Sequence, residues 1–215
     1  MVILYEEEDE LKINMKKFIL MMKDKENIKI TKIRMDNAGE NLNFKSMAEL
    51  EFPWIKFEMT SPGTPQQNGK VERKFATLFG YARSMLNNGG FDEIKRQGLW
   101  AEAASTATRL SNLLVSTNSS ESPYKKFYGK DSKLKNELRS FGEIGIVTFR
   151  KGSKRKNKLE NKGRPCIMVG YNPDHPNGTY WMLDLKTRKV ILSRDVRWIG
   201  KNYRKWRQTR KELES

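Results

Sequence analysis

The sequence predicts a mixed α/β layer over residues 1–120 followed by a small β-barrel over residues 139–200. Three observations carry that prediction. Apolar residues recur at helical spacing around 11–22, 71–86 and 100–115, with β-branched or alternating runs between the first two. From Phe141 onward the pattern changes to short strand-like runs, GIVTF, CIMVGY, GTYWMLDL and KVILSRDVRW, parted by turn residues. Between the two regions, residues 121–138 read as a linker, and residues 201–215 read as a basic tail.

In chain order, Val2–Tyr5 reads as the end of a strand. Leu11, Met15, Phe18, Ile19 and Met22 then mark a helix, with acids at its front and Lys23 and Lys25 at its back, as the helix dipole favours. Ile28–Met35 reads as a strand closed by the turn chemistry of Asp36-Asn-Ala-Gly. Phe44–Leu50 reads as a short helix, with Lys45 and Glu49 one turn apart. Ile55, Phe57 and Met59 alternate, which predicts a strand over Trp54–Thr60. Thr60–Gly69 holds Pro62, Gly63, Pro65 and Gly69 and predicts a flexible loop. It leads into a helix whose apolar face is Val71, Phe75, Leu78, Phe79, Ala82, Met85 and Leu86, stopped by Asn87-Asn-Gly-Gly. Trp100–Val115 reads as a second long helix, and Ser116–Pro123 as a polar connection. Asp174-His-Pro-Asn-Gly and Asp184-Leu-Lys-Thr are the turns expected between later strands.

Composition bounds the chemistry. With 37% hydrophobic and 32% charged residues, the 215-residue chain fits a globular protein, and no apolar run reaches the roughly 18 residues of a membrane span. A single cysteine, Cys166, excludes an internal disulfide; together with a single histidine, His175, it leaves no Cys/His zinc site within this sequence. The net charge is +16, and 14 of those charges lie in two windows of fifteen residues, Arg150–Arg164 and Arg197–Lys211. Charge gathered this way predicts a polyanionic partner, most pointedly Lys151, Lys154, Arg155 and Lys156 in the first window and Arg204, Lys205 and Arg207 in the second. The second window is interleaved with Trp198, Tyr203 and Trp206, aromatic faces on which bases can stack. A single basic run would read as solvated surface; two of them predict nucleic acid.

Two acids stand in distinctive surroundings: Asp36 in MDNAGEN and Glu72 in TPQQNGKVER, with 35 residues between them. With that spacing, the two motifs resemble the integrase of copia-type LTR retrotransposons. LWAEAA and SPYKKFYGK resemble the segment that follows, and Gly170-Tyr171 with Ser193-Arg194-Asp195-Val196 resemble the SH3-like domain after the core. The likeness runs over nearly the whole chain and is densest at 32–86 and 139–200.

The resemblance implies a partial RNase H-like core and an SH3-like β-barrel. It implies DNA integration, by 3′-end processing and strand transfer, in which three carboxylates hold Mg²⁺ or Mn²⁺ as hard oxygen ligands. Asp36 matches the second acid and Glu72 the third, while the first has no counterpart, so a core truncated at its N-terminus and inactive alone is expected. The family's zinc-binding region likewise has no match here. Gln66, Gln67, Asn68 and Gly69 match the loop that approaches DNA, and Lys70, Arg73 and Lys74 suit phosphates. The implied partners are DNA, both element ends and target, with RNA second, and further copies of the chain; the implied location is the nucleus, otherwise the cytoplasm, and secretion is not expected. The alternative is a non-catalytic basic DNA- or RNA-binding module derived from a transposable element.

Overall fold

The computed structural model describes residues 8–60, 65–117, 119–148, 162–172 and 178–214. The strand expected at Val2–Tyr5, the cations Lys151, Lys154, Arg155 and Lys156, and nearly all of the 174–178 turn lie outside the described residues. The chain divides into two compact units, residues 2–76 and 77–215, with the boundary inside one long helix.

The first unit runs α1 (Glu8–Asp24), β1 (Lys32–Met35), α2 (Gly39–Glu51), β2 (Lys56–Met59) and the start of α3 (Pro65–Gly89). β1 and β2 pair in parallel, with Ile33 opposite Phe57 and Met35 opposite Met59. α2 joins them, since parallel neighbours need a crossover rather than a hairpin. Strand alternation sends Ile33, Met35 and Phe57 toward a core of Ile19, Phe44, Ala48, Phe52 and Ile55. On the solvent side, Lys32 and Arg34 reach Glu58 at 2.6 and 2.7 Å, and their hydrogen bonds, Lys32's first, hold its carboxyl below the usual range.

Three boundaries differ from the sequence reading, each for a local reason. β1 begins at Lys32 rather than Ile28, because only the last four residues find a partner strand. α2 begins five residues earlier than the apolar pattern indicated, its first turn carrying Glu40 where the dipole favours an acid. The loop expected through Gly69 stops earlier: α3 starts at Pro65, whose fixed φ and missing N–H suit the first helical turn. Gly69 is thus a helical residue, with open space where a Cβ would stand.

The second unit continues α3 and adds α4 (Glu93–Gly98), α5 (Trp100–Ser111), α6 (Pro123–Tyr128) and a 3₁₀ turn (Lys133–Glu137). Five strands follow, β3 (Glu143–Thr148), β4 (Gly163–Tyr171), β5 (Tyr180–Asp184), β6 (Val190–Ser193) and β7 (Val196–Asn202), and then α7 (Tyr203–Glu214). The strands form one antiparallel sheet in the order β6-β5-β4-β3-β7. It is a four-stranded meander whose fifth strand returns to pair with the first. α4 was not expected; it is one short helix capped by Asp92, whose side chain accepts the Lys95 N–H at 3.0 Å. The span read as linker holds α6, with Ser122 as cap, Pro123 in its first turn and Gly129 left-handed at its end, φ 68°.

Leu113, Leu134, Val147, Cys166, Met168, Tyr171, Tyr180 and Met182 form the core of this unit. Gly145 is fixed by packing, since a Cβ there would stand 2.3 Å from Val196 Cγ1. Cys166 is wholly buried, and burial followed by the nearby Asp184 charge pushes its thiol up to about 11. The thiolate is the reactive form, so the native protein is expected to react with DTNB roughly a hundredfold more slowly than the protein in urea. Comparable rates in the two conditions would show that the sheet opens freely around β4.

Candidate nucleic-acid interface

The two predicted metal-binding acids lie in the first unit. Parallel pairing puts Asp36, next after β1, and Thr60, next after β2, at the same end of the strands. The Thr60 N–H donates to Met35 O at 3.0 Å, and Asn37 Nδ2 donates to Thr60 O at 3.0 Å. From that end the chain leads to α3, which carries Glu72 roughly 10 Å along its axis at 1.5 Å rise per residue. Both acids are exposed.

Asp36 has structural work at this end. Its Oδ1 accepts from the Ala38 N–H at 3.1 Å and from Asn41 Nδ2 at 2.7 Å, an Asx turn that leads the chain into α2. Among the described residues, no three His, Cys, Asp or Glu side chains gather where they could hold a metal ion. A pair of Mg²⁺ or Mn²⁺ ions needs more oxygen ligands than Asp36 and Glu72 supply, and the described residues bring no third such side chain to them.

Of the other nominated residues, Gln66, Gln67, Asn68, Gly69 and Lys70 form the first turns of α3. Arg73 and Lys74 follow on the same helix with exposed side chains. The segment expected to approach DNA as a loop is therefore largely helical.

The second nominated cluster is built by α7. The run expected as a tail is an ordered helix continuous with β7. Its inner side is aromatic. Phe91 meets Phe141 edge-on at 6.1 Å and stacks on Tyr203 at 5.6 Å, and Tyr203 stacks in turn on Trp206 at 6.4 Å. The guanidinium of Arg207 lies over Tyr203 at 5.6 Å and that of Arg210 over Trp206 at 5.3 Å, so the stack ends in cations. The helix approaches the end of α3 so closely that a Cβ on Gly90, itself left-handed at φ 71°, would stand 2.4 Å from Arg204 Cβ. Sequence reading assigned that glycine to stopping a helix; its second role is to admit α7.

Asn202 fixes the start of α7 from both ends of its amide. Its Oδ1 accepts the Lys205 N–H at 3.0 Å, and its Nδ2 donates to Asn88 O at 3.0 Å. Asn202→Ala is expected to cost about 1–2 kcal/mol, the worth of a helix cap plus a surface hydrogen bond. Asn202→Asp keeps the cap and loses only the second bond, so it should cost less. Equal thermal melts for the wild type and the alanine variant would remove Asn202 from this role.

The three cations nominated on α7 separate into two kinds. Arg204 donates to Asn87 O at 3.3 Å, and Arg207 lies 4.0 Å from Asp92, whose carboxyl is held low chiefly by hydrogen bonds from Lys95. Lys205 is exposed and has no ion-pair partner among the described residues, as is Lys211, which the sequence reading did not single out. Arg197 on the edge strand β7 is likewise exposed. The arrangement is an amphipathic helix, aromatic inside and cationic outside, on a sheet whose last strand adds a further cation.

Residues 147–212 match the family of the retroviral polymerase SH3-like domain, a span that takes in most of α7. Over 181 residues the chain is 32% identical to the retrovirus-related Pol polyprotein from transposon TNT 1-94 of Nicotiana tabacum, covering 84% of this chain and 13% of that polyprotein. The chain thus spans only a small part of its curated relative's length. A chain in the cryoEM structure of the simian T-cell lymphotropic virus intasome in complex with PP2A regulatory subunit B56 gamma aligns at 13% identity with a TM-score of 0.46, covering 90% of this chain and 65% of that one. That last likeness is too loose to bear on function. The sequence relationship stands without it: the chain is related to a part of a retrotransposon Pol polyprotein and matches the retroviral polymerase SH3-like domain family in its C-terminal part.

Proposed function

We propose that the chain serves DNA integration by a retrotransposon as a DNA-holding module and performs no strand transfer on its own. The observation that carries this reading is α7, a helix docked through Tyr203 on Phe91 and through Asn202 on Asn88, which leaves Lys205 and Lys211 facing solvent. Cations held on an ordered helix can meet successive phosphates without first ordering a chain, and each phosphate neutralised releases counterions. The acids support the other half of the reading, since Asp36 is engaged in a turn and no third ligand joins it among the described residues.

The enzyme reading keeps one specific support: Asp36 stands at the end of the parallel strands from which the chain leads to the Glu72 helix. Incubating the chain with element-end DNA, target DNA and Mg²⁺ or Mn²⁺ separates the two. Binding without joined product is expected, with affinity for duplex falling about a hundredfold or more between 50 and 200 mM salt if several phosphates are contacted. Lys205→Glu with Lys211→Glu should weaken that binding and flatten the salt slope. Joined product that disappears in Glu72→Gln would establish the enzyme and overturn the proposal. An affinity indifferent to salt would overturn the DNA-holding role.

A further inference from the structure

A second surface in the unit beginning at Thr77 has the chemistry of a nucleic-acid site, and none of the α7 cations discussed above lines it. α3, α4 and the first residue of α5 enclose an open cleft of about 500 Å³. Its floor is the buried pair Ala82 and Leu86, and its walls carry the rings of Phe79 and Trp100. Those rings are 44% and 45% exposed, so a large part of each stays open to solvent beside the buried floor. Arg83 from α3 and Arg96 from α4 line the same cleft, and neither has an ion-pair partner among the described residues. Glu93 also contributes to the lining, so the carboxylate there must be outweighed by the two guanidiniums.

Half-exposed aromatic rings beside arginines that have no ion-pair partner among the described residues match one kind of ligand. A nucleobase offers a π-face to stack and, on either side, a phosphate for a guanidinium, whereas the bases of a closed duplex keep their faces covered. A purely apolar ligand would leave the two arginines unused, and a simple anion would leave the rings unused. We propose that this cleft binds single-stranded nucleic acid, an unpaired base stacking on Trp100 or Phe79 while Arg83 and Arg96 take the flanking phosphates. Gln97, also in the lining, is placed to offer its amide to a base edge. The inference is independent of the duplex-holding role proposed for α7.

The test uses the full chain and fluorescein-labelled (dT)₁₂, with binding followed by anisotropy at low salt. Trp100→Ala is expected to weaken (dT)₁₂ binding about tenfold, within the range that removal of one stacked base covers. Trp100→Phe, which keeps a ring, should stay within about twofold, and Arg83→Ala with Arg96→Ala should weaken binding and reduce its salt dependence. Should Trp100→Ala fail to melt cooperatively, the double arginine variant decides, since those side chains pack into no core. None of these changes should alter duplex affinity more than about twofold, whereas Lys205→Glu with Lys211→Glu should. Wild-type affinity for (dT)₁₂ in both the Trp100→Ala and the double arginine variants, or no (dT)₁₂ binding by the wild type, would overturn the cleft and leave the α7 reading standing. Retained (dT)₁₂ binding with no duplex binding would do the reverse.

Discussion

Phe44→Ala is expected to destabilise the first unit by about 4 kcal/mol, the middle of the range for removing a buried phenylalanine. Phe44 is 1% exposed and sits among Ile19, Ala48, Phe52 and Ile55, with Phe57 edge-on at 6.0 Å. Four separate elements, α1, α2, β2 and the turn before β2, thus lose contacts at one position. Ile19, Ala48, Phe52 and Ile55 around the ring are themselves buried, so little can move in to fill the void. Since whole domains are stable by only 5–15 kcal/mol, a loss of this size removes much of what holds the unit together. Urea unfolding followed by circular dichroism measures the change, and hydrogen exchange locates it: amides of residues 10–60 should lose protection well before those of β3–β5. The acid motif should follow, because Asn41, which ties Asp36, lies on the first turn of the same helix. Phe44→Leu, which leaves a smaller void, should cost well under half as much. A loss below about 1.5 kcal/mol for the alanine variant would mean that the unit repacks around the gap.

The position of Phe44 in a helix was legible from sequence; its place at the centre of a core was not. That contrast holds across the molecule. Patterns that repeat locally came through: the helix at Leu11–Met22, the alternation at Ile55–Met59 that becomes β2, and the strand runs that become β3–β7. So did turn chemistry, as at Asp184-Leu-Lys-Thr between β5 and β6. Features that depend on a distant partner did not. The four-residue length of β1 is set by what β2 offers it, and Gly145 is glycine because Val196, fifty-one positions on, packs against it. The apolar stripe of α3 divides: Leu78, Ala82 and Leu86 are buried, while Val71, Phe75 and Phe79 are more than two-fifths exposed. Periodicity shows which side of a helix is apolar, and only packing shows where that side is covered. At the nominated sites the limit is similar. Residue types singled out Arg204 and Arg207, yet their neighbours Asn87 and Asp92 engage them within the fold, and Lys205 beside them is the one left to a partner.

Asp184→Ala is expected to lower the stability of the sheet unit by about 3 kcal/mol at neutral pH, as breaking a buried charged network does. The carboxylate is wholly buried at the end of β5. It accepts from Lys186 N–H at 2.8 Å, Thr187 N–H at 3.3 Å and the Thr187 hydroxyl at 2.8 Å, and it lies 2.7 Å from Arg164 Nε on β4. Burial by itself would push this carboxyl up; the Thr187 hydroxyl, the two backbone donors and Arg164 together outweigh it and hold the group below its ordinary 3.8. A carboxyl whose value falls on folding stabilises the native state at every pH above its unfolded value, and that contribution is lost as pH drops through the lower folded value. The cost of the substitution should therefore be constant from about pH 7 to pH 5 and shrink below about pH 4, where the unfolded chain takes up the proton that the native carboxylate accepts only at lower pH. Asp184→Asn, which can still accept from the turn amides but meets Arg164 without charge, should fall between the two. Urea midpoints for the three proteins at pH 7, 5 and 3 provide the comparison. If the gap between the wild type and the alanine variant is as wide at pH 3 as at pH 7, the carboxylate's charge contributes nothing, and the β5–β6 turn is held by its backbone alone.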